Sequence, residues 1–327
     1  MFKGSVVITG CDSGLGLALC RILPTHGFFV VATCTSREGI RKALEVLSDE
    51  NGSDSDELTA SGFCCKRCGN GACYLLDVTS SMDVETFHKD VLHSVRANTY
   101  PALYALINNA GIWRFSLLEE SFKSAEKRNM EVDMWREVME TNLLGSLRMT
   151  LTFVNNLEPN SDGCMPRIIY LSSVLDRHAL PGQGAYVASK FATSGLYETM
   201  CHELVDKDVK PIIVRPGALR NTKLFHRDLK IDDPDYVEQL HKDDDLIRAS
   251  YRLLLNVAGD CNSVATTITE ILLDRNPRGE YSDVAGSLSF VLADYIPRSI
   301  FVRFVRFALY AIGRMYQVTM YIFNTFR

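Results

Sequence analysis

Four side chains in this 327-residue chain have types and spacings suited to moving a proton beside a carbon–oxygen bond. Tyr186-Val187-Ala188-Ser189-Lys190 sets a phenol and an ammonium four residues apart, which a helix would put on one face. Tyrosine with its ordinary pKa of about 10 is a poor base at neutral pH. A cation beside it favours phenolate and lowers that value, giving a proton acceptor for an alcohol. Ser173 stands thirteen residues earlier, just beyond the strand-like run Ile168–Leu171. A strand end and the next helix border the same sheet edge, so the Ser173 hydroxyl can reach the oxygen beside the phenol. Asn142 interrupts an otherwise apolar-periodic helix at Glu140–Gly145, where asparagine costs helix propensity and needs a reason. A core tyrosine with a surface lysine, a turn serine and a satisfied buried asparagine would use the same residues without chemistry.

Thr9-Gly10-Cys11-Asp12-Ser13-Gly14-Leu15-Gly16 follows the first strand-like run and opens a helix. Glycine suits such a turn because the backbone must bend tightly and approach a pyrophosphate with no Cβ in the way. Free N–H groups at the helix start then hold the phosphates. Asn108-Asn109-Ala110-Gly111 follows the run Leu103–Ile107, which places polar residues at the carboxyl edge of a sheet, although such a turn is common by itself. Asp77 and Val78 close the run Tyr74–Leu76, where an aspartate also serves as a helix cap.

These residues need a frame, and the chain supplies an alternating one. Apolar runs at Val6–Thr9, Phe28–Thr33, Tyr74–Leu76, Leu103–Ile107, Ile168–Leu171 and Ile212–Val214 are separated by amphipathic segments such as Val84–Val95, Met134–Leu151 and Tyr186–Leu204. Continuous apolar strands between helices predict an α/β fold, one Rossmann-type doubly wound parallel sheet covered on both faces. No internal repeat is visible, so residues 1–290 are expected to form one dinucleotide-binding catalytic domain and 291–327 a helical tail. Residues 48–71, polar and rich in glycine and serine, are expected to be a surface insertion.

The glycine turn, the Asn108–Gly111 turn, Asn142 and Ser173/Tyr186/Lys190 stand in the order and spacing of the short-chain dehydrogenase/reductase family, which the chain resembles over roughly residues 4–290. The pattern TGxxxGxG is that family's, in contrast to the GxGxxG of two-domain dehydrogenases. The resemblance implies hydride transfer between a carbinol carbon and a nicotinamide. Tyr186 would take the alcohol proton, Ser173 steady the oxygen, and Lys190 hold the ribose and tune the phenol. Asn142 would distort its helix and position a water linking Lys190 to solvent. Asn109, Ala110 and Gly111 would support the nicotinamide half, Asp77 and Val78 the adenine ring, and Pro216-Gly217 with Thr222 a loop closing over the nicotinamide. The turn Thr9–Gly16 and Ser172-Ser173-Val174-Leu175 look like the retinol, 17β-hydroxysteroid and 3-hydroxybutyrate dehydrogenase branch, closer to its retinoid and steroid members. A lipophilic alcohol or ketone would then meet Val174, Leu175, Leu180 and Leu219. A hydroxybutyrate enzyme would need a cation, for which Arg177, His178 and Arg220 are candidates. Asp176 departs from the glycine many relatives carry there, and 116–132 looks longer than the family norm. A catalytically idle cofactor sensor or membrane scaffold is the alternative of another class. The family's habit is homo-oligomeric.

NAD and NADP are separated where the second strand ends: an acid there bonds the ribose 2′-hydroxyl, whereas an arginine suits a 2′-phosphate. Here Cys34 occupies the acid's place and Arg37 follows, so NAD is preferred on the branch resemblance and NADP stays open. A net charge of −5 with 46% hydrophobic residues describes an ordinary folded chain and gives no basic stripe for nucleic acid. Met1-Phe2-Lys3-Gly4 runs straight into a strand, so no signal peptide is expected and the ten cysteines are read as intracellular thiols. Cys64, Cys65, Cys68 and Cys73 lie close together, but their spacing is wrong for a zinc ribbon and no histidine is near, so no metal is expected. In the tail, Arg303, Arg306, Tyr310 and Arg314 share one helical face, opposite Phe301, Phe304, Val305, Leu309, Ile312 and Met315. That pattern fits a helix lying in a membrane interface, with packing on the domain or in a dimer as the alternative. The expected location is therefore a membrane inside the cell, the endoplasmic reticulum before the mitochondrion.

Overall fold

The structure, a computed structural model, describes residues 2–48, 55–58, 64–220, 222–229, 247–248, 250–251, 255, 258–282 and 296–325, with backbone alone at 55–58, 64–67, 120, 226–227 and 316–325. In chain order the main elements are β1 (Gly4–Ile8), α1 (Gly14–Ile22), β2 (Phe28–Cys34), α2 (Arg37–Leu47), β3 (Ser55–Leu58), β4 (Cys64–Cys68), β5 (Gly71–Leu75) and α3 (Ser81–Arg96). They continue with β6 (Leu103–Asn108), α4 (Ala125–Met139), α5 (Ser146–Phe153), β7 (Arg167–Leu171), α6 (Gly184–Glu203), β8 (Lys210–Val214), α7 (Cys261–Leu273), β9 (Glu280–Tyr281) and α8 (Arg298–Thr325).

Among the described residues one sheet runs β9-β8-β7-β6-β1-β2-β5-β4-β3, parallel from β9 to β5. Every residue of β1, β2, β6 and β7 is buried, which is why these strands read as unbroken apolar runs. Successive side chains point to opposite faces. Val6, Ile8 and Val30 meet Leu19, Ile40, Val264 and Ile268 of α1, α2 and α7. On the other face Val7, Phe29 and Val31 meet Phe87, Met149, Phe153 and Tyr197 of α3, α5 and α6. The chain leaves β1 towards β2 and β5, then returns to β6 on β1's other side. The strand order thus reverses at β1/β6, where doubly wound sheets bind ligands beyond their carboxyl ends.

The structure adds detail to three expectations. Within 48–71, read as a surface insertion, β3 and β4 extend the sheet antiparallel to β5, with Cys65 opposite Tyr74 and Cys68 opposite Gly71. The two-residue turn Gly69-Asn70 joins β4 to β5, and that dipeptide is a hairpin signal the polar composition obscured. Cys68 and Cys73 are buried, whereas the side chains of Cys64 and Cys65 lie outside the described residues. The segment Met134–Leu151, read as one helix, is α4, a π-helical stretch at Glu140–Gly145 and α5.

The tail helix α8 does not hold its apolar residues on one free face. Leu309 is buried, and it packs with Val305 and Tyr310 against the cluster that includes Trp113, Leu175 and Tyr186. Phe301 lies 5.1 Å from the His178 ring. Ile300, Val302, Phe304, Phe307 and Met315 remain exposed. Among the described residues no helix is long and apolar enough to cross a membrane.

Phe87 is fully buried, edge-on to Tyr74 at 4.9 Å and tilted against Phe153 at 5.6 Å. Phe87→Ala is expected to cost about 3–5 kcal/mol in urea unfolding. The exposed Met82→Ala on the same helix should stay within about 0.5 kcal/mol of the parent.

Candidate active site

Beyond the carboxyl ends of the parallel strands lies a cleft of about 1370 Å³. Gly10, Asp12, Ser13 and Leu15, then Asp77 and Val78, Asn109, Ala110 and Gly111, Ser173, Tyr186 and Lys190, and Pro216, Gly217 and Thr222 all line it. Gly14, Gly16, Cys34 and Asn142 are not among the lining residues. Gly10 has φ +73°, and a Cβ there would come within 2.9 Å of the Ala110 Cα. At Gly16 a Cβ would fall 2.3 Å from the Gly10 carbonyl oxygen. The turn is therefore a bare-backbone cradle at the start of α1. Asn109 Nδ2 donates to the Thr9 and Gly10 carbonyls at 2.8 and 2.9 Å, and the Thr9 hydroxyl accepts the Asn109 and Ala110 N–H groups. Asp77 accepts from the N–H and hydroxyl of Thr79, so it also serves its own turn.

At the other end of the cleft, α6 carries Tyr186 and Lys190 on one face, the ammonium 5.4 Å from the ring centroid. Burial raises the Tyr186 phenol, while a hydrogen bond with Ser173 pulls it down and the Asp176 charge adds to the rise. The lowering expected from Lys190 is not among these causes; the group that lowers the phenol is Ser173. Burial also brings the Lys190 ammonium down to about 8, with Asp176 acting against it. Lys190 Nζ donates to the Leu171 carbonyl at 2.7 Å. Asn142 lies in the π-helical stretch: its Oδ1 accepts the Ile112 N–H at 2.8 Å and its Nδ2 donates to the Ile112 carbonyl and the Ser189 hydroxyl. Ser189 in turn donates to the Tyr186 carbonyl at 2.7 Å. Asn142 therefore locks the Gly111–Trp113 strand exit to α6.

Several residues depart from the sequence reading. Cys34, expected beside the ribose, is buried in the core, and Thr35 and Ser36 line the cleft in its place. Asp176 does not shape the mouth of the cleft but turns inward. It accepts from the Ser172 hydroxyl at 2.8 Å and from Arg215 Nε at 2.6 Å. Burial raises its carboxyl, against the pull of Arg215. Among the described residues none of 116–132 lines the cleft; Trp113 and Arg114, just before, do. Arg177, His178 and Arg220 are absent from the lining: Arg177 pairs with Glu280 at 3.1 Å, and His178 borders a smaller cavity of about 410 Å³ under Phe301. Thr9, Ser189, Gln183 and Trp113 went unpredicted. Only Thr9 carried a signal, its place directly before Gly10. The others are fixed by contacts between distant segments, such as Trp113 Nε1 donating to Gln183 Oε1 at 2.8 Å.

The family model for short chain dehydrogenase matches residues 4–230. This chain belongs to that family. This short chain dehydrogenase is 28% identical over 309 residues to 17-beta-hydroxysteroid dehydrogenase type 6 of Rattus norvegicus, covering 90% of this chain and 85% of that protein. It is 29% identical over 213 residues to mitochondrial D-beta-hydroxybutyrate dehydrogenase of Bos taurus, covering 65% and 53%. The matched region thus spans about half the length of that hydroxybutyrate dehydrogenase. Among solved structures, an alcohol dehydrogenase from Thermococcus sibiricus complexed with 5-hydroxy-NADP aligns with a TM-score of 0.60 at 22% identity over 87% of this chain and 97% of that one. A 3-ketoacyl-(acyl-carrier-protein) reductase from Brucella melitensis complexed with NADH gives 0.62 at 17%, over 88% and 99%. At such identities these two structures establish the fold alone.

The depressed Lys190 makes a stability prediction with a definite sign. Between about 8 and the ordinary 10.5 the folded protein binds fewer protons than the unfolded chain, so stability rises with pH across that window. Urea unfolding at both ends of the window should show wild type gaining on the order of 2 kcal/mol relative to Lys190→Met. Parallel pH dependences of the two proteins would contradict the placement of Lys190.

Proposed function

We propose that this chain is a nicotinamide-dependent dehydrogenase of lipophilic alcohols, of the retinoid or steroid kind, with Tyr186 as acid/base. One observation carries the substrate class: Tyr186 is packed in an apolar cluster with Trp113, Phe115, Val174, Leu175, Leu229 and Tyr251. Val174, Leu175, Leu180, Phe225 and Leu255 line the cleft and belong to or pack on that cluster, and Leu219 also lines the cleft. The glycine cradle, whose space a Cβ would fill, fits a dinucleotide at the other end. When bound, the nicotinamide supplies the two-electron hydride acceptor or donor.

This chain's own residues would do the rest. The Tyr186 side chain, as phenolate, would accept the alcohol proton as hydride leaves for the nicotinamide during oxidation, and as phenol would give a proton to the carbonyl oxygen during reduction. The Ser173 hydroxyl, bonded to the phenol, holds the substrate oxygen. Lys190, buried yet close to the ring, favours the phenolate in the oxidative direction. The apolar wall excludes water from the reacting carbon. A hydroxybutyrate dehydrogenase needs a cation at the substrate end. Among the described residues, two cations other than Lys190 line the cleft: Arg114, which is paired with Glu137 at 2.5 Å, and the exposed Lys223. Lys223 keeps that activity as the second reading.

Membrane association belongs to the same proposal. The exposed Phe304 and Phe307 of α8, beside Arg303 and Arg306, suit the headgroup boundary of an anionic bilayer, while the opposite face packs on the catalytic cluster. That arrangement fits a catalytic domain held at an intracellular membrane such as the endoplasmic reticulum.

Turnover is read at the reduced-nicotinamide absorbance with retinol, estradiol and 3-hydroxybutyrate. A lipophilic alcohol is expected to be oxidised, and Tyr186→Phe to lose about 10²–10⁴-fold in kcat. Turnover confined to 3-hydroxybutyrate would transfer the assignment to that acid and to Lys223; cofactor binding with no turnover would favour a sensor or scaffold. In flotation with phosphatidylserine-containing vesicles, Phe304→Glu/Phe307→Glu should reduce the bound fraction severalfold, and equal flotation would remove the membrane role of α8.

A further inference from the structure

The acid that reads the cofactor's ribose normally stands at the end of the second strand. Here that place belongs to Cys34, which is 1% exposed and faces the core. A carboxylate reaches the same corner from elsewhere. Asp12, inside the glycine turn, crosses to the exit of β2: its Oδ2 accepts the Thr35 N–H at 2.9 Å, and its Oδ1 accepts the Ser36 N–H at 3.1 Å and the Ser36 hydroxyl at 2.8 Å. Ser36 is the N-cap of α2, so Asp12 occupies the electropositive start of that helix. Gly39 is shaped to receive it, since a Cβ there would lie 2.2 Å from Asp12 Oδ1. Asp12, Thr35 and Ser36 all line the cleft, on the wing away from Tyr186.

We propose that Asp12 makes the enzyme selective for NAD(H) over NADP(H) by filling, with its own carboxylate, the anion site at the start of α2. The inference rests on the reading that the cleft takes a nicotinamide dinucleotide. A 2′-phosphate carries a charge of about −1.5 to −2 at neutral pH and needs donors or cations. The backbone donors of Thr35 and Ser36 are committed to Asp12, and a second anion beside it meets like-charge repulsion. A 2′-hydroxyl is a donor, and among the described residues Oδ2 accepts only the Thr35 N–H, which leaves it a lone pair. The nearby cations do not compensate. Arg37, the residue that would suit a phosphate, is exposed and does not line the cleft. Arg41 and Lys42 are paired with Glu38 at 2.8 and 3.3 Å.

The test is the dissociation constant of NADH and of NADPH for the full-length protein, followed by reduced-nicotinamide fluorescence at fixed ionic strength. Wild type is expected to bind NADH about tenfold or more tighter than NADPH. Asp12→Asn, which removes the charge at constant size, should raise the NADPH-to-NADH affinity ratio about tenfold or more, and Arg37→Ala should leave it within about twofold. Equal or tighter NADPH binding by wild type overturns the proposal, as does an unchanged ratio in Asp12→Asn or a selective loss of NADPH binding in Arg37→Ala. The wild-type ratio stands as a test even if Asp12→Asn fails to fold. Binding of neither nucleotide by folded wild type would instead remove the dinucleotide reading of the cleft, and the proposal with it.

Discussion

Where the strand order reverses, four hydrogen bonds between Thr9-Gly10 and Asn109-Ala110 carry the β1–β6 pairing past the strand ends into the loops that form the cleft floor. The Asn109 amide donates to the turn's carbonyls, and the Thr9 hydroxyl accepts from the opposing backbone. Each loop depends on the other for groups that would otherwise be buried without partners, which costs more than the bonds themselves contribute. The Gly10 and Gly16 requirements follow from this closeness, because a Cβ at either would force the two segments apart. The cleft above them is thus a consequence of how β1 and β6 are joined.

The Tyr186 end of the cleft is tied to that junction through one asparagine. Asn142 bonds both backbone groups of Ile112, just past the β6 exit, and the Ser189 hydroxyl on α6. The π-helical stretch turns its side chain into this position at a cost in helix regularity, a kind of irregularity that recurs at functional sites. A second tie runs beneath Ser173. Asp176 joins Ser172 to Arg215, and Arg215 continues to Glu280 of β9 and to Ser194 of α6. The ion pair is almost wholly buried, so removing one partner would strand the other charge. Together these ties fix the serine loop, α6 and the loop at Pro216 relative to one another.

The alternation of strands and helices, the glycine turn and the Tyr186/Lys190 spacing were legible because each follows from local periodicity or from a backbone that needs glycine. Asn142 was legible as an anomaly, but its partners were not, since Ile112 and Ser189 lie far from it in sequence. The same limit hid Asp12's reach to Ser36 and the inward turn of Asp176, because an acid's role depends on which donors the fold brings to it. The hairpin of β3 and β4 escaped notice because an edge pairs through backbone bonds and does not require an apolar pattern. In α8 the periodicity identified a helix with a broad apolar surface, but not that Leu309 would dock on the catalytic cluster while Phe304 and Phe307 face outward.

The central claim is that hydride moves directly between a substrate carbinol carbon and a nicotinamide under the control of Tyr186. Its most direct test uses an alcohol deuterated at the carbinol carbon, with mass analysis of the reduced nicotinamide formed by wild type and by Tyr186→Phe. Deuterium should appear in the nicotinamide product of wild type, at a rate that falls sharply in Tyr186→Phe. Reduced nicotinamide without deuterium, or formed equally fast by Tyr186→Phe, would contradict the account.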